Sequence, residues 1–153
     1  MRATAPVIAP VAAARRFGYS VAVVVDTVLL YMINVAPGWQ TVPFLTEETW
    51  QVLPMVNLSL AAGAVANLVY MICDPRWLRS LGDLVTTAIS LIALVGILRV
   101  FPFAFGDPSV DWALVARSVL VVSVAGTAVA VVVHLVSFVR RAAGGRYRSD
   151  PHR

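Results

Sequence analysis

Four long apolar runs alternate with short polar stretches along the chain, at residues 17–36, 53–73, 84–101 and 113–139. A hydrocarbon core of roughly 30 Å needs about 20 apolar residues of helix, and each run is of that order. The fourth is long enough to tilt or protrude. Proline punctuates the ends: Pro37 follows the first run, Pro75 the second and Pro102 the third, and none falls in the middle of a run. Helix-breaking residues thus stand where helices should stop. Thr46 with Glu47 and Glu48 reads as an N-cap followed by acidic first-turn residues, which predicts an early start for the second helix and a kink at Pro54. The fold class expected is all-α, an integral membrane four-helix bundle. Its domain plan is an N-terminal tail over residues 1–16, four spans within residues 17–139, and a basic tail over residues 140–153.

Composition agrees with a lipid environment. Of the 153 residues, 59% are hydrophobic and 13% charged, with a mean hydropathy of +0.83. A soluble domain carries roughly 45 to 50% apolar and about 25% charged residues. Disorder needs the opposite balance. The excess positive charge would in a soluble domain suggest nucleic acid, yet here the twelve basic residues, all arginine, flank apolar runs. Arg2, Arg15, Arg16, Arg76, Arg79, Arg140, Arg141, Arg146, Arg148 and Arg153 fall on one side of the alternating topology. The other side carries Glu47, Glu48, Asp107 and Asp111. The positive-inside rule then predicts both termini in the cytoplasm of a bacterial plasma membrane, with Trp39, Trp50, Trp77 and Trp112 as interfacial anchors. Arg15 and Arg16 before the first run also suit a cleavable signal, with residues 34–36 as a weak cleavage site. Pro37 directly after that site, Asp26 inside the run and three further spans favour a retained helix.

Polar residues inside the runs carry the candidate chemistry. An ionisable group at the centre of a span costs roughly 2.5 to 3.5 kcal/mol on insertion scales and needs a partner or a purpose. Asp26, among valines and leucines, is expected to stay protonated or to be hydrogen-bonded by other helices. Helical spacing at about 1.5 Å of rise per residue puts Asn67, Ser90, Ser123 and Thr127 within about two turns of its level, an intramembrane polar cluster. Ser59, Gly63, Ala66 and Tyr70 form a small-residue stripe on the second helix, suited to close packing. Asp83 and His134 share a level near the cytoplasmic face and form a second candidate pair. Arg99 and Arg117 lie near the outer ends of helices three and four, roughly 10 Å or more above Asp26 at that rise. They are expected to reach outward to Asp107, Asp111, lipid headgroups or another anion, with Asn34 and Asn57 near the same level. The chain from Asp83 and His134 inward to Asp26 fits a proton-linked carrier; it equally fits interhelical hydrogen bonds that only hold the helices together.

No catalytic constellation is present. Two histidines cannot make an H-E-x-x-H zinc site, and there is no nucleophile elbow or phosphate loop. Cys73, the single cysteine, allows neither a redox pair nor a cysteine-based metal site. No enzyme activity, cofactor or metal is expected.

Trp39 with Pro43-Phe44-Leu45-Thr46, Asn67-Leu68-Val69-Tyr70 running into Asp74-Pro75-Arg76-Trp77-Leu78, Gly82-Asp83-Leu84 and Val100-Phe101-Pro102-Phe103 resemble the pattern of small four-span proteins of high-GC actinobacteria. The resemblance covers residues 16–105. That group carries no assigned activity, so the resemblance implies no substrate. Small multidrug exporters also place an acidic residue in their first helix, but the rest of their pattern is missing. Quinone-linked thiol oxidoreductases need a cysteine pair that is absent. The expectation is a non-catalytic membrane component or accessory subunit in contact with the lipid bilayer, with a homo-oligomer or another membrane protein as partner. The alternative is a proton-coupled transporter or channel-like carrier of a small solute using Asp26.

Overall fold

The computed structural model describes residues 8–73, 75–106 and 109–144. Residues 1–7 and 145–153 of the expected tails, Asp74 and Asp107 lie outside them. Among the described residues there are four α-helices: α1 (Ile8–Asn34), α2 (Leu53–Ile72), α3 (Arg76–Val100) and α4 (Trp112–Gly144). All four are long and apolar enough to cross a membrane.

Three helix starts differ from expectation, the first being α1, which begins at Ile8 inside the segment expected to be an N-terminal tail. The segment Glu47–Gln51 is a 3-10 helix, and Thr46 makes no side-chain cap bond to it. α2 begins afresh at Leu53 with Pro54 in its first turn. The pyrrolidine ring would clash with the carbonyl four residues back, so one continuous α-helix from Glu47 is blocked, whereas proline is welcome at a helix start. α3 begins at Arg76, immediately after Pro75 and well before Leu84. Trp77, Leu78 and Leu81 continue its apolar pattern among the polar residues of the first two turns. At its other end Phe101 takes a left-handed conformation (φ 47°, ψ 63°), its N–H donating to the Ile97 carbonyl at 2.7 Å. Pro102 behind it is fully buried and cannot continue the helix. Asp111 starts α4, its Oδ1 accepting the Leu114 N–H at 2.9 Å.

The helices pack in chain order, α1 on α2, α2 on α3 and α3 on α4. Among the described residues no packing of similar extent joins α1 to α4, so the helices form a row with two edges rather than a closed ring. Large apolar side chains point outward along it, among them Phe17, Ile72 and Val122 at 72%, 80% and 71% exposure. Apolar surface all round suits helices solvated by lipid. The buried interior of the helices is slender, with the small Ala64, Ser80 and Ala93 beside the larger Tyr70.

At one end, hereafter the capped end, the two long connections meet. Leu45 and Phe103 form an antiparallel bridge, the Thr46 N–H donating to Pro102 O at 3.0 Å and the Ala104 N–H to Phe44 O at 2.9 Å. Phe44, Phe103 and Phe105 stack with ring centroids 6.0 to 6.5 Å apart. At the opposite, basic end, Tyr70 spans from α2 to α3: its hydroxyl donates towards Asp83 Oδ1 and the Arg79 carbonyl, each at 3.1 Å. The hydroxyl occupies the space a Cβ at Gly82 would need. Tyr19 of α1 packs edge-on to Tyr70 at 5.6 Å, and the Arg79 guanidinium lies 5.9 Å from the Tyr19 ring.

Gly82→Ala should therefore push Tyr70 off α3 and destabilise the protein by about 1 to 3 kcal/mol, as overpacking does. Tyr70→Phe in the same chain should recover part of the loss by removing the clashing oxygen. Thermal unfolding of the two variants and the double variant in detergent checks this; additive losses would contradict the geometry.

Candidate functional site

Asp26 sits half-buried on the face of α1 that meets α2. Its Oδ2 lies 2.8 Å from where a Cβ on Gly63 would stand. A carboxyl can come this near a helix backbone only at glycine. One turn further along α2, Asn67 Nδ2 donates to the Gly63 carbonyl at 2.9 Å. Asp26 and Asn67 thus converge on one residue of α2, Asp26 over its Cα and Asn67 on its oxygen.

The other members of the expected cluster stand elsewhere in the row. Ser90 is half-buried on α3. On α4, Ser123 Oγ donates to the Val119 carbonyl at 2.8 Å and Thr127 Oγ1 to the Ser123 carbonyl at 2.7 Å. Both hydroxyls are satisfied on their own helix, as serine and threonine often are through the carbonyl one turn back. Since α4 packs on α3 at the far edge from α1, helical level alone does not bring these groups to Asp26.

Asp83 is held by Tyr70 rather than by His134, which is half-buried on α4. Sequence reading places Tyr70 at the end of a small-residue stripe and misses its polar role. The signal that could have revealed it is Gly82 beside Asp83, a bare position next to an acceptor.

Arg117 meets an aromatic ring at the end of α3. Its guanidinium lies over the Phe101 ring, 4.5 Å from the centroid, a cation–π contact that an arginine at an apolar boundary can make without a carboxylate. Asp111, one of the expected acceptors, is engaged as the cap of α4. Arg99 is exposed in the last turn of α3. Asn34 and Asn57, expected at one level, form a reciprocal amide pair between α1 and α2: Asn34 Nδ2 donates to Asn57 Oδ1 at 2.9 Å, and Asn57 Nδ2 to Asn34 Oδ1 at 2.7 Å. Cys73 is a free, exposed thiol. Among the described residues no three His, Cys, Asp or Glu side chains are grouped to hold a metal ion.

Most of these polar side chains bond a carbonyl about one turn back on their own helix, and a few join sequence-adjacent helices. The α1/α2 seam carries the Asn34–Asn57 pair and the Asp26–Gly63 approach, and the α2/α3 seam carries Tyr70–Asp83. Comparison with protein-family models, curated proteins and solved structures finds no match to this chain.

The amide pair should carry measurable coupling. Interhelical polar pairs in membranes average about 0.6 kcal/mol and reach about 1.7. A double-mutant cycle of Asn34→Ala and Asn57→Ala, read by unfolding in mixed micelles, should return a favourable coupling in that range. A value of zero would mean that the two amides do not depend on each other.

Proposed function

We propose that the protein is a non-catalytic component of the bacterial plasma membrane, related to the small four-span proteins it resembles, with both ends in the cytoplasm. In this reading its polar residues set the order and spacing of its helices. That the chain is a multi-pass membrane protein follows from its four spanning-length apolar helices. The observation supporting the structural role is the seat of Asp26: its carboxyl group lies against the bare Cα of Gly63 where α1 packs on α2. A group placed so serves packing, and it holds the α1/α2 seam at the distance set by a bare Cα. The lipid bilayer is the constant partner, and another membrane protein, or a second copy, would meet one edge of the row.

Asp26→Asn tests this reading against proton-coupled transport. Asn keeps the shape and can still hydrogen-bond but cannot exchange a proton at physiological pH. The variant should match the parent in expression, thermal stability and cellular phenotype within about 0.5 kcal/mol, the range of a neutral substitution. Asp26→Leu, which is larger at the glycine contact and apolar, should lower stability by about 1 to 3 kcal/mol. A stable Asn variant that loses a pH-gradient-driven flux shown by the parent would establish the carrier instead.

Orientation is tested separately. Reporter fusions after Arg76 and Arg140 should read as cytoplasmic, and those after Glu47 and Ser109 as external. A cytoplasmic signal after Glu47 would reverse the orientation.

A further inference from the structure

Between the bridge and α2 the chain carries polar side chains on both of its faces. A 3-10 helix repeats every three residues, so Thr46, Thr49 and Val52 fall on one side of Glu47–Gln51 and its two caps. That side is turned inward: Thr49 and Val52 are each 5% exposed, while Glu47, Glu48 and Trp50 are exposed on the other. Beneath it lies an apolar hollow of about 160 Å³, where Ile33 of α1, Val56 of α2 and Ile97 of α3 converge. Two of the three inward positions are thus hydroxyls over an apolar floor. Thr46 Oγ1 and Thr49 Oγ1 are both buried and have no hydrogen-bond partner among the described residues. Thr27, Thr41, Thr86, Thr87 and Thr127, by contrast, each bond a nearby backbone carbonyl.

Neither oxygen presents accessible surface, so water cannot bond it while the segment stays in place. A buried hydroxyl in that state loses its bonds to water and gains none in return, and two of them on one short segment weigh against the closed form. The segment itself is held by three-residue bonds, such as Thr49 N–H to Thr46 O at 3.0 Å and Val52 N–H to Thr49 O at 3.1 Å, whose geometry is poorer than that of an α-helix. Its two ends are firmer, the Leu45–Phe103 bridge on one side and the start of α2 on the other. We propose that residues 46–52 are a lid, in equilibrium between this closed form and an open form that turns Thr46 and Thr49 to water and uncovers the hollow. The bridge stays made while the lid turns on it. Segments that open in this way belong to the less stable parts of a fold. The lid is independent of the role of Asp26.

The test uses the full chain in lipid nanodiscs and reads two signals. Amide hydrogen exchange follows the Thr49 and Val52 N–H groups, whose acceptors lie within the lid, beside the Ala104 N–H, which bonds Phe44 O in the bridge. Labelling by iodoacetamide follows a thiol placed at the buried Val52 (Val52→Cys), with the exposed Cys73 removed (Cys73→Ala). Thr46→Val and Thr49→Val keep the side-chain shape without the hydroxyl. Each should slow lid exchange and thiol labelling about fivefold or more, the effect of one unpaired buried group, with Ala104 exchange unchanged and thermal stability kept or raised. Thr41→Val, whose hydroxyl already bonds the Gly38 carbonyl at 2.8 Å, should slow neither signal. Exchange and labelling no slower in the Thr46 and Thr49 variants than in the parent would overturn the proposal. So would equal slowing at Ala104, which would mean that the whole capped end opens at once, or a stability loss in Thr49→Val, which would show that the hydroxyl is already paired.

Discussion

Helices in lipid gain little by choosing one apolar neighbour over another, because the acyl chains are as apolar as leucine or valine. Selection among neighbours falls to the points where a polar group finds its match, and in this protein two of those points are glycines. Gly63 receives the Asp26 carboxyl group and Gly82 the Tyr70 hydroxyl. Each is a place where the backbone of one helix is bare and the side chain of the next comes down onto it. Polar groups then meet across each seam: Asn34 with Asn57 between α1 and α2, and the Tyr70 hydroxyl with Asp83 between α2 and α3. Take away the bare Cα and the two helices must separate, and the hydrogen bonds that depend on the spacing go with it.

Much of this was legible in the residues. The four spans follow from apolar run length, a signal strong enough to survive without any homologue. The stripe containing Gly63 and Tyr70, and the common level of Asn34 and Asn57, follow from helical spacing. The partners of those residues did not follow in the same way. A one-dimensional depth argument places Ser123 and Thr127 beside Asp26, but depth does not say which helix stands next to which. The serial packing separates them, and their hydroxyls have a nearer acceptor one turn back on α4. The start of α3 was hidden for a related reason: an apolar-run criterion stops at Asp83 and Arg79, whereas a helix continues through polar residues as long as its backbone bonds are made.

The capped end was the least readable part. Nothing in the spacing of Phe44, Phe101, Phe103 and Phe105 announces that they form one aromatic array, because the array depends on a backbone bridge between two connections far apart in sequence. That bridge ties the two connections together through backbone bonds. Arg117 then lies against the array through Phe101, so the positive charge nearest the start of α4 is tied to the end of α3.

The row order also bears on how the chain is made. Every extensive helix contact joins elements consecutive in sequence, which is the condition for low contact order and fast, local assembly. As each helix leaves the insertion machinery, its final neighbour is already in the bilayer, and no early helix has to wait for the last one. α1 and α2 can settle as a hairpin through Asp26 and Gly63 before α3 is synthesised, and α3 adds to that hairpin through Tyr70. A closed ring would have held α1 unfinished until the end of translation.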